Sequence, residues 1–512
     1  MRGPIEARTL RQPPFSMAAL AVLATVAVLG FAGLGLGYGS NSDSRPLFET
    51  TVTAIQGGEY IPSRGYGVPL YEFMAAFLHP LGGTLLDNAY SLLATLAAVL
   101  IFWRLLLLRE GAATPGAGLW ALAGFALNPL VLLQASSPNE WAQTLLFMMC
   151  ALYCTVAWLR TGGFPALVAY GASACALVLT RPDAALMCIA LFIAVLWEVK
   201  LDRRRSRAFF AANAVAALAS ITTLVVLNHG LSFLHSTSAM IGPQQPLRRI
   251  AIGALGFLNV FGVAGCLALA IALGRVLRNR AAQVAPGRGL AGTDLFEKLC
   301  LVAWPIMIVR FAALPDKLEY LMVLIPITLL AVASRRQPVA VTAIVACSLI
   351  VNSVFTVSLF ERTGTGDRLA FALHLNKSAL LQDWNDRKAQ QRALDPQFTA
   401  RIAAVALAGA DGSATRLSFG HWAMGFTSDR NDLVLSENQL YKIDNPRFPG
   451  ARSESRSYRH IIACNQVFYP DNVGWRVLQP PQVYISADSG SDDWLRCRPA
   501  GNHDGDLPVA SR

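Results

Sequence analysis

The apolar residues of this chain fall into long runs and not into the alternating or one-faced patterns of a water-facing fold. Runs with cores near 17–37, 87–107, 117–134, 140–159, 164–180, 183–199, 208–228, 250–274, 298–314, 318–334 and 338–359 approach the roughly 20 residues a helix needs to cross a bilayer. They predict an α-helical polytopic membrane protein with about eleven transmembrane helices. Residues 38–86 form the first long loop. Two stretches inside it, Leu47–Gln56 and Tyr66–Pro80, are apolar but short, and Pro69, Glu72, His79 and Pro80 break up the second. They predict helices lying in the membrane interface.

From about residue 361 the pattern turns polar. It predicts helices at Leu369–Leu394 and Thr399–Ala410, then strands in Arg416–Phe426, Tyr458–Phe468 and Gln482–Ile485, separated by Asp-Gly, Asp-Asn and Pro-Pro turns. The expected organisation is a tail at 1–16, a transmembrane domain at 17–360 and a small C-terminal α/β domain at 361–512.

Composition agrees. The 512 residues are 54% hydrophobic and 15% charged, too apolar for an ordinary soluble protein. A net charge of +11 suits either a nucleic-acid binder or a membrane protein with basic inner loops. Distribution decides between them. With the N-terminus in the cytoplasm, the inner segments hold about eighteen Lys and Arg and the outer loops about six. This predicts a cytoplasmic N-terminus, an extracytoplasmic C-terminal domain and no nucleic-acid partner. No small-residue cleavage site follows the first run, which reads as a retained span. Cys150, Cys154, Cys175, Cys188, Cys266, Cys300 and Cys347 lie in apolar runs and read as small buried hydrophobes. Cys150 and Cys154 are spaced i, i+4, but no His accompanies them, so no zinc site is expected. Cys464 and Cys497 fall in the outer domain, where an oxidising environment suits a disulfide; two unrelated thiols are the alternative.

Residues suited to anion binding or proton transfer collect in the outer loops. Asp43 follows the first span by a few residues. A carboxylate there could take a proton from a hydroxyl nucleophile, hold a divalent cation or simply cap the next helix. Glu140 opens the fourth span, where the helix dipole also favours an anion. Arg181, in Thr180-Arg181-Pro182-Asp183, is a cation on the outer side; it fits a phosphate partner or a salt bridge with Asp183. Arg310 lies inside the ninth span, where an unpaired charge is costly, and Asp316-Lys317-Leu318-Glu319-Tyr320 follows it. His229, His235, Arg248 and Arg249 read as solvated loop residues.

This order resembles a known family. A first span precedes an outer Asp; then come Arg64-Gly65-Tyr66-Gly67-Val68-Pro69-Leu70-Tyr71, an outer Glu at a span start, an Arg-Pro turn and the span Tyr320–Pro326. Over roughly residues 15 to 360 it is similar to the GT-C superfamily of integral-membrane glycosyltransferases, in particular bacterial protein-mannosyltransferases and aminoarabinose transferases. The resemblance implies an enzyme of a bacterial inner (cytoplasmic) membrane. That enzyme would move a sugar from a polyprenyl-phosphate donor to a glycan, lipid or protein acceptor on the outer face, usually with inversion. It implies that Asp43 is the first-loop catalytic acid and Glu140 a second acid. Arg64, Arg181, Arg310 and Lys317 would contact the donor phosphate, and Tyr66 and Tyr320 would line the pocket. Here Asp43 stands before Ser44 where many relatives carry two adjacent acids, so no cofactor is implied beyond the divalent cation a first-loop carboxylate can hold. Two rivals belong to other classes: a transporter or lipid flippase, and a non-catalytic envelope-assembly protein whose tail carries the function. The first calls for midplane charges and paired repeats, which are not evident in the sequence.

Overall fold

The structure, a computed structural model, describes residues 16–37, 47, 51–63, 67–108, 115–199, 202–230, 246–283, 295–313, 319–334 and 337–351, together with strands between 355 and 499. The helices in order are α1 (Met17–Gly33, continued by a tight turn Leu34–Leu36), α2 (Thr53–Gln56), α3 (Pro69–Leu108), α4 (Pro115–Ala126), α5 (Pro129–Gln134), α6 (Trp141–Thr161), α7 (Phe164–Thr180), α8 (Ala185–Val199), α9 (Arg203–Leu227), α10 (Pro246–Gln283), α11 (Leu295–Ala313), α12 (Glu319–Met322), α13 (Leu324–Val332) and α14 (Val339–Val351). Among the described residues six helical segments are long and apolar enough to cross a membrane: 17–36, 69–108, 141–161, 182–199, 203–227 and 256–275. Shorter apolar helices lie at 116–126, 164–180, 319–332 and 339–351.

Each expected run is thus helical in large part, but several are not single rods. The run 117–134 breaks at Leu127–Asn128, where the Asn128 side chain caps α5 by accepting from Leu130 N at 3.0 Å and Pro129 cannot donate to a continuing helix. Asn128 also donates to the Leu349 carbonyl at 2.8 Å, so the break is tied to α14. The expected interfacial helix and second span are joined as α3, kinked where Gly82 and Gly83 leave helical geometry. A similar kink at Gly262 divides α10. In the first loop, Leu47–Gln56 contributes the short α2. The last run ends at Val351 and not near 359, because Phe355–Thr363 is a strand (β1) paired antiparallel with Gly366–Leu375 (β2). Its β-branched and aromatic residues suit an extended backbone. The same pairing replaces the start of the helix expected at Leu369–Leu394; residues 376–394 and 399–410 lie outside the described residues.

Further on, β3 (Thr415–Phe419), β4 (Leu433–Glu437), β5 (Arg459–Ala463), β7 (Trp475–Val477) and β8 (Val483–Ser486) form one mixed sheet in the order β4-β3-β5-β8-β7. A second pair joins β6 (Phe468–Pro470) to β9 (Cys497–Pro499). Cys464 lies outside the described residues.

Around a packed core the helices turn large apolar side chains outward. In α9 only Phe209, Ala216, Ser220 and Leu224 are buried, a single stripe, while Phe210, Val215, Leu218 and Ile221 are exposed. Such surface on helix after helix is what a hydrocarbon solvent permits and water does not. Close approaches use small residues. A Cβ on Gly124 would lie 2.8 Å from the Ala346 Cα, so α4 and α14 meet backbone to backbone. At one end of the bundle, arginines close helix termini: Arg160 donates to the Leu108 carbonyl and Arg205 to the Leu159 carbonyl.

Candidate functional site

The opposite end gathers charge. Asn139 accepts from Trp141 N at 3.1 Å where α6 begins, and the Glu140 side chain does not cap that helix. Glu140 instead accepts from Arg181 Nη1 at 2.5 Å, and both side chains are almost fully buried. Arg181 ends α7 in an extended conformation that turns its side chain back toward α6. Its Nε and Nη2 donate to the two oxygens of Asp183 at 3.0 and 3.2 Å. Asp183 sits on the tight turn Pro182–Ala184 and takes a further bond at 3.1 Å from Nη2 of Arg310, in the last turn of α11.

Aromatic faces hold both cations. The Arg181 guanidinium lies 3.7 Å from the centre of the Trp141 ring and 5.2 Å from that of Tyr320. Arg310 lies 4.3 Å over Tyr320. Trp141 and Tyr320 meet edge to face at 5.6 Å. Pairing each of these cations with a carboxylate makes their burial tolerable in a low-dielectric setting. The planar guanidinium, which stacks and binds bidentately, is the group such a place requires.

Of the expected site residues, the structure therefore brings Glu140, Arg181, Arg310 and Tyr320 together. Asp43, Arg64, Tyr66 and Lys317 lie outside the described residues. Two described stretches bordering the first-loop residues are held by buried side chains. Asn88 donates to the carbonyls of Leu34 and Gly37 at 2.9 and 3.0 Å, pinning the chain where it leaves α1 toward Asp43. Glu72 ties together described residues on either side of positions 64–66. It accepts from the Tyr60 hydroxyl at 2.5 Å, from Ser63 N and Oγ at 2.8 and 2.5 Å, and from Val68 N at 3.1 Å. Burial and the Glu72 carboxylate push the Tyr60 phenol well above its ordinary value. Gly67 has φ +66° and a Cβ there would meet the Tyr60 hydroxyl at 2.4 Å, so only glycine fits. Four residues on, buried Tyr71 lies in the field of Asp87 and Glu140, which links this loop to the cluster.

Reading the sequence missed three features. Asp183 reads there as a local partner of Arg181, yet it is shared with Arg310, 127 residues away, and no sequence signal reports that. Trp141 as a cation platform was legible only as an aromatic next to Glu140. The buried Asp87, 2.6 Å from His79 Nδ1 across the α3 kink, drew no attention inside an apolar run. Among the described residues no three His, Cys, Asp or Glu side chains converge to hold a metal ion.

With this geometry in place, comparison with solved structures finds the backbone similar to the crystal structure of ArnT from Cupriavidus metallidurans bound to undecaprenyl phosphate. The TM-score is 0.51 at 12% identity, over 92% of this chain and 98% of that one. The same protein in the apo state aligns with TM-score 0.46 at 13% identity, over 91% and 97%. At such identity the first likeness is one of fold, and the expected polytopic helical architecture is met at that level. No family model matches the chain, and no curated protein matches it in sequence.

Proposed function

We propose that this chain is a membrane glycosyltransferase that moves a sugar from a polyprenyl-phosphate donor to a glycan, lipid or protein acceptor on the outer face of a bacterial inner membrane. One observation carries the reading: Arg181 and Arg310, from helices far apart in sequence, converge on aromatic platforms at one end of a bundle that has the ArnT fold. That ArnT structure carries undecaprenyl phosphate, a lipid phosphate of the kind this reading requires.

In this reading the acceptor hydroxyl attacks the anomeric carbon while Asp43 takes its proton. The bond from that carbon to the phosphate oxygen breaks, and the polyprenyl phosphate leaves with the electron pair. Arg181 and Arg310, with Arg64 and Lys317 from the loops, stabilise the charge on the leaving phosphate. Glu140 holds Arg181 in orientation, and Tyr320 and Tyr66 line the pocket. Attack from the face opposite the phosphate inverts the anomeric centre. The C-terminal strands form an outer domain that holds the acceptor or covers the site. A transporter would place its charges near the middle of the spans; Glu140, Arg181 and Arg310 lie at helix ends.

The test is transfer by the purified, reconstituted protein from a sugar-linked polyprenyl phosphate. Asp43→Asn should lower the rate by at least about 100-fold while expression and thermal unfolding stay as in the wild type. Full activity in that variant would remove Asp43 from the reaction. Transport of lipid across vesicles without any sugar product would replace the transferase reading altogether.

A further inference from the structure

The helix α3 serves two cores. Its first half, up to the kink, buries Tyr71, Ala75 and Ala76 in a small cluster with Leu47, Val52 and Val68 of the first loop. Its last turns bury Ala98, Phe102, Leu105 and Leu106 in the main core of the bundle. Glu72, in the first half, accepts from Tyr60, Ser63 and Val68. The interfacial half of α3 and the described part of the first loop are thus packed and hydrogen-bonded as one unit. The kink joins that unit to the rest of α3.

The backbone does little to fix the angle at that joint. Gly82 and Gly83 leave helical geometry, and a helix is stiff only while that geometry continues. Gly83 takes φ +57°, and a Cβ built there would meet nothing within 4 Å, so no neighbour wedges the turn at that point. Two side chains reach across. Tyr90, beyond the kink, packs on the loop unit, and apolar contact has no preferred direction. His79 Nδ1 lies 2.6 Å from Oδ2 of Asp87, and a hydrogen bond is directional. The Asp87 side chain is 1% exposed, and its other oxygen meets no protein donor. A buried carboxylate served on one oxygen costs stability, and an apolar side chain would pack there at less cost. Its presence calls for a role other than stability.

We propose that His79 and Asp87 are positioning residues for the transfer: their bond pins the α3 kink and sets where the first-loop unit, which borders Asp43 and Arg64, is held against the charged end of the bundle. Tyr71, on the pinned half, lies in the field of Glu140. Losing the bond leaves both halves folded and frees the angle between them, so the groups of the loop meet the substrate in the right geometry less often. The proposal rests on the transferase reading above for what is positioned, and on the geometry alone for the pin.

The full-length protein in lipid nanodiscs tests it by hydrogen–deuterium exchange and by the transfer assay. Asp87→Ala and His79→Ala should each speed amide exchange over residues 69–81 about tenfold, the effect of losing one hydrogen bond to a charged group, with exchange in α6 unchanged. Each should lower kcat about tenfold. The double variant should be no slower than either single one, because the same bond is lost once. A purely structural pair would instead lower the unfolding temperature and leave the kcat of the folded protein as in the wild type. Unchanged exchange over 69–81 in both single variants would overturn the pin. Faster exchange with a wild-type kcat would overturn the positioning role and leave the transferase reading standing. Losses that add in the double variant would mean two separate roles and overturn the proposal as well. Should Asp87→Ala fail to fold, His79→Ala, at a side chain 23% exposed, carries the same two readouts. If the wild type transfers no sugar, the transferase reading and the positioning role fall together, and exchange still decides the pin.

Discussion

Two ion clusters lie at opposite ends of the helical bundle, and they are built differently. At one end Arg181 and Arg310 share Asp183, with Glu140 behind and two aromatic rings stacked on the guanidiniums. At the other, Lys298 meets Glu198, while the adjacent Glu297 accepts from Ser334 at 3.4 Å. Both lysine and arginines are deeply placed, but Glu198 is 38% exposed whereas Glu140 is 1% exposed. The Lys298 pair keeps one foot in solvent and uses a flexible point charge. The Arg181 cluster is dry, planar and held from several sides. Stability alone does not call for the second arrangement, since buried ion pairs rarely outperform apolar packing. Holding two cations in fixed orientation does call for it.

The largest effects should come from breaking the dry cluster. Arg181→Met takes the guanidinium from buried Glu140 and from Asp183 and should cost about 3–5 kcal/mol in chemical unfolding. Arg181→Lys should not rescue it, because an ammonium can neither stack on Trp141 nor serve Glu140 and Asp183 in one plane. A lysine variant as stable and active as the wild type would show the fork geometry to be irrelevant.

Next comes Arg310→Gln. It leaves Asp183 with the bidentate partner Arg181, so the fold should survive. Transfer should nevertheless fall about 10²–10³-fold, the usual loss when one stabilising donor is removed from a developing charge. Lys298→Met, at the other end, should leave the transfer rate at the wild-type level. Equal losses from both substitutions would erase the functional contrast between the clusters.

The sequence carried different parts of this picture unequally. Apolar runs located the helices because each needs only its own length and composition. The kink at Gly82–Gly83 and the break at Asn128-Pro129 had local signals, yet a count of apolar residues reads through them. Arg310 was legible as a charge inside a span, and Arg181 as a cation on the side where cations are scarce. That Asp183 serves both is a tertiary fact, fixed by the packing of α7, α8 and α11, and no run or spacing encodes it.

The loop leading into the dry cluster offers a smaller effect with a pH signature. Tyr60→Phe removes one donor from Glu72 and leaves Oε2 with the Val68 N–H at 3.1 Å. The cost should be about 1 kcal/mol. Because the phenol is raised above its ordinary 10.0, its contribution is whole below that pH and is lost as pH rises beyond it. Thermal unfolding from pH 7 to 11 should therefore show the wild type losing its advantage over Tyr60→Phe at the alkaline end. A constant difference would mean that the hydroxyl is not the group at work.

The smallest effect should come from the wet pair, and its smallness is informative. Lys298→Met alone lets Glu198 turn to water, so unfolding should shift by about 1 kcal/mol at most, as for other ion pairs with an exposed partner. Adding Glu198→Leu should return stability to the wild-type level, because hydrophobic replacement of both partners is close to neutral. A cost of several kcal/mol for Lys298→Met would make this pair as dependent on its counter-charge as Arg181 is on Glu140. Dryness would then not be what distinguishes the two ends. The near-neutral double change, set against the heavy loss from Arg181→Met, would locate the difference in water's access to one carboxylate and not in the number of charges.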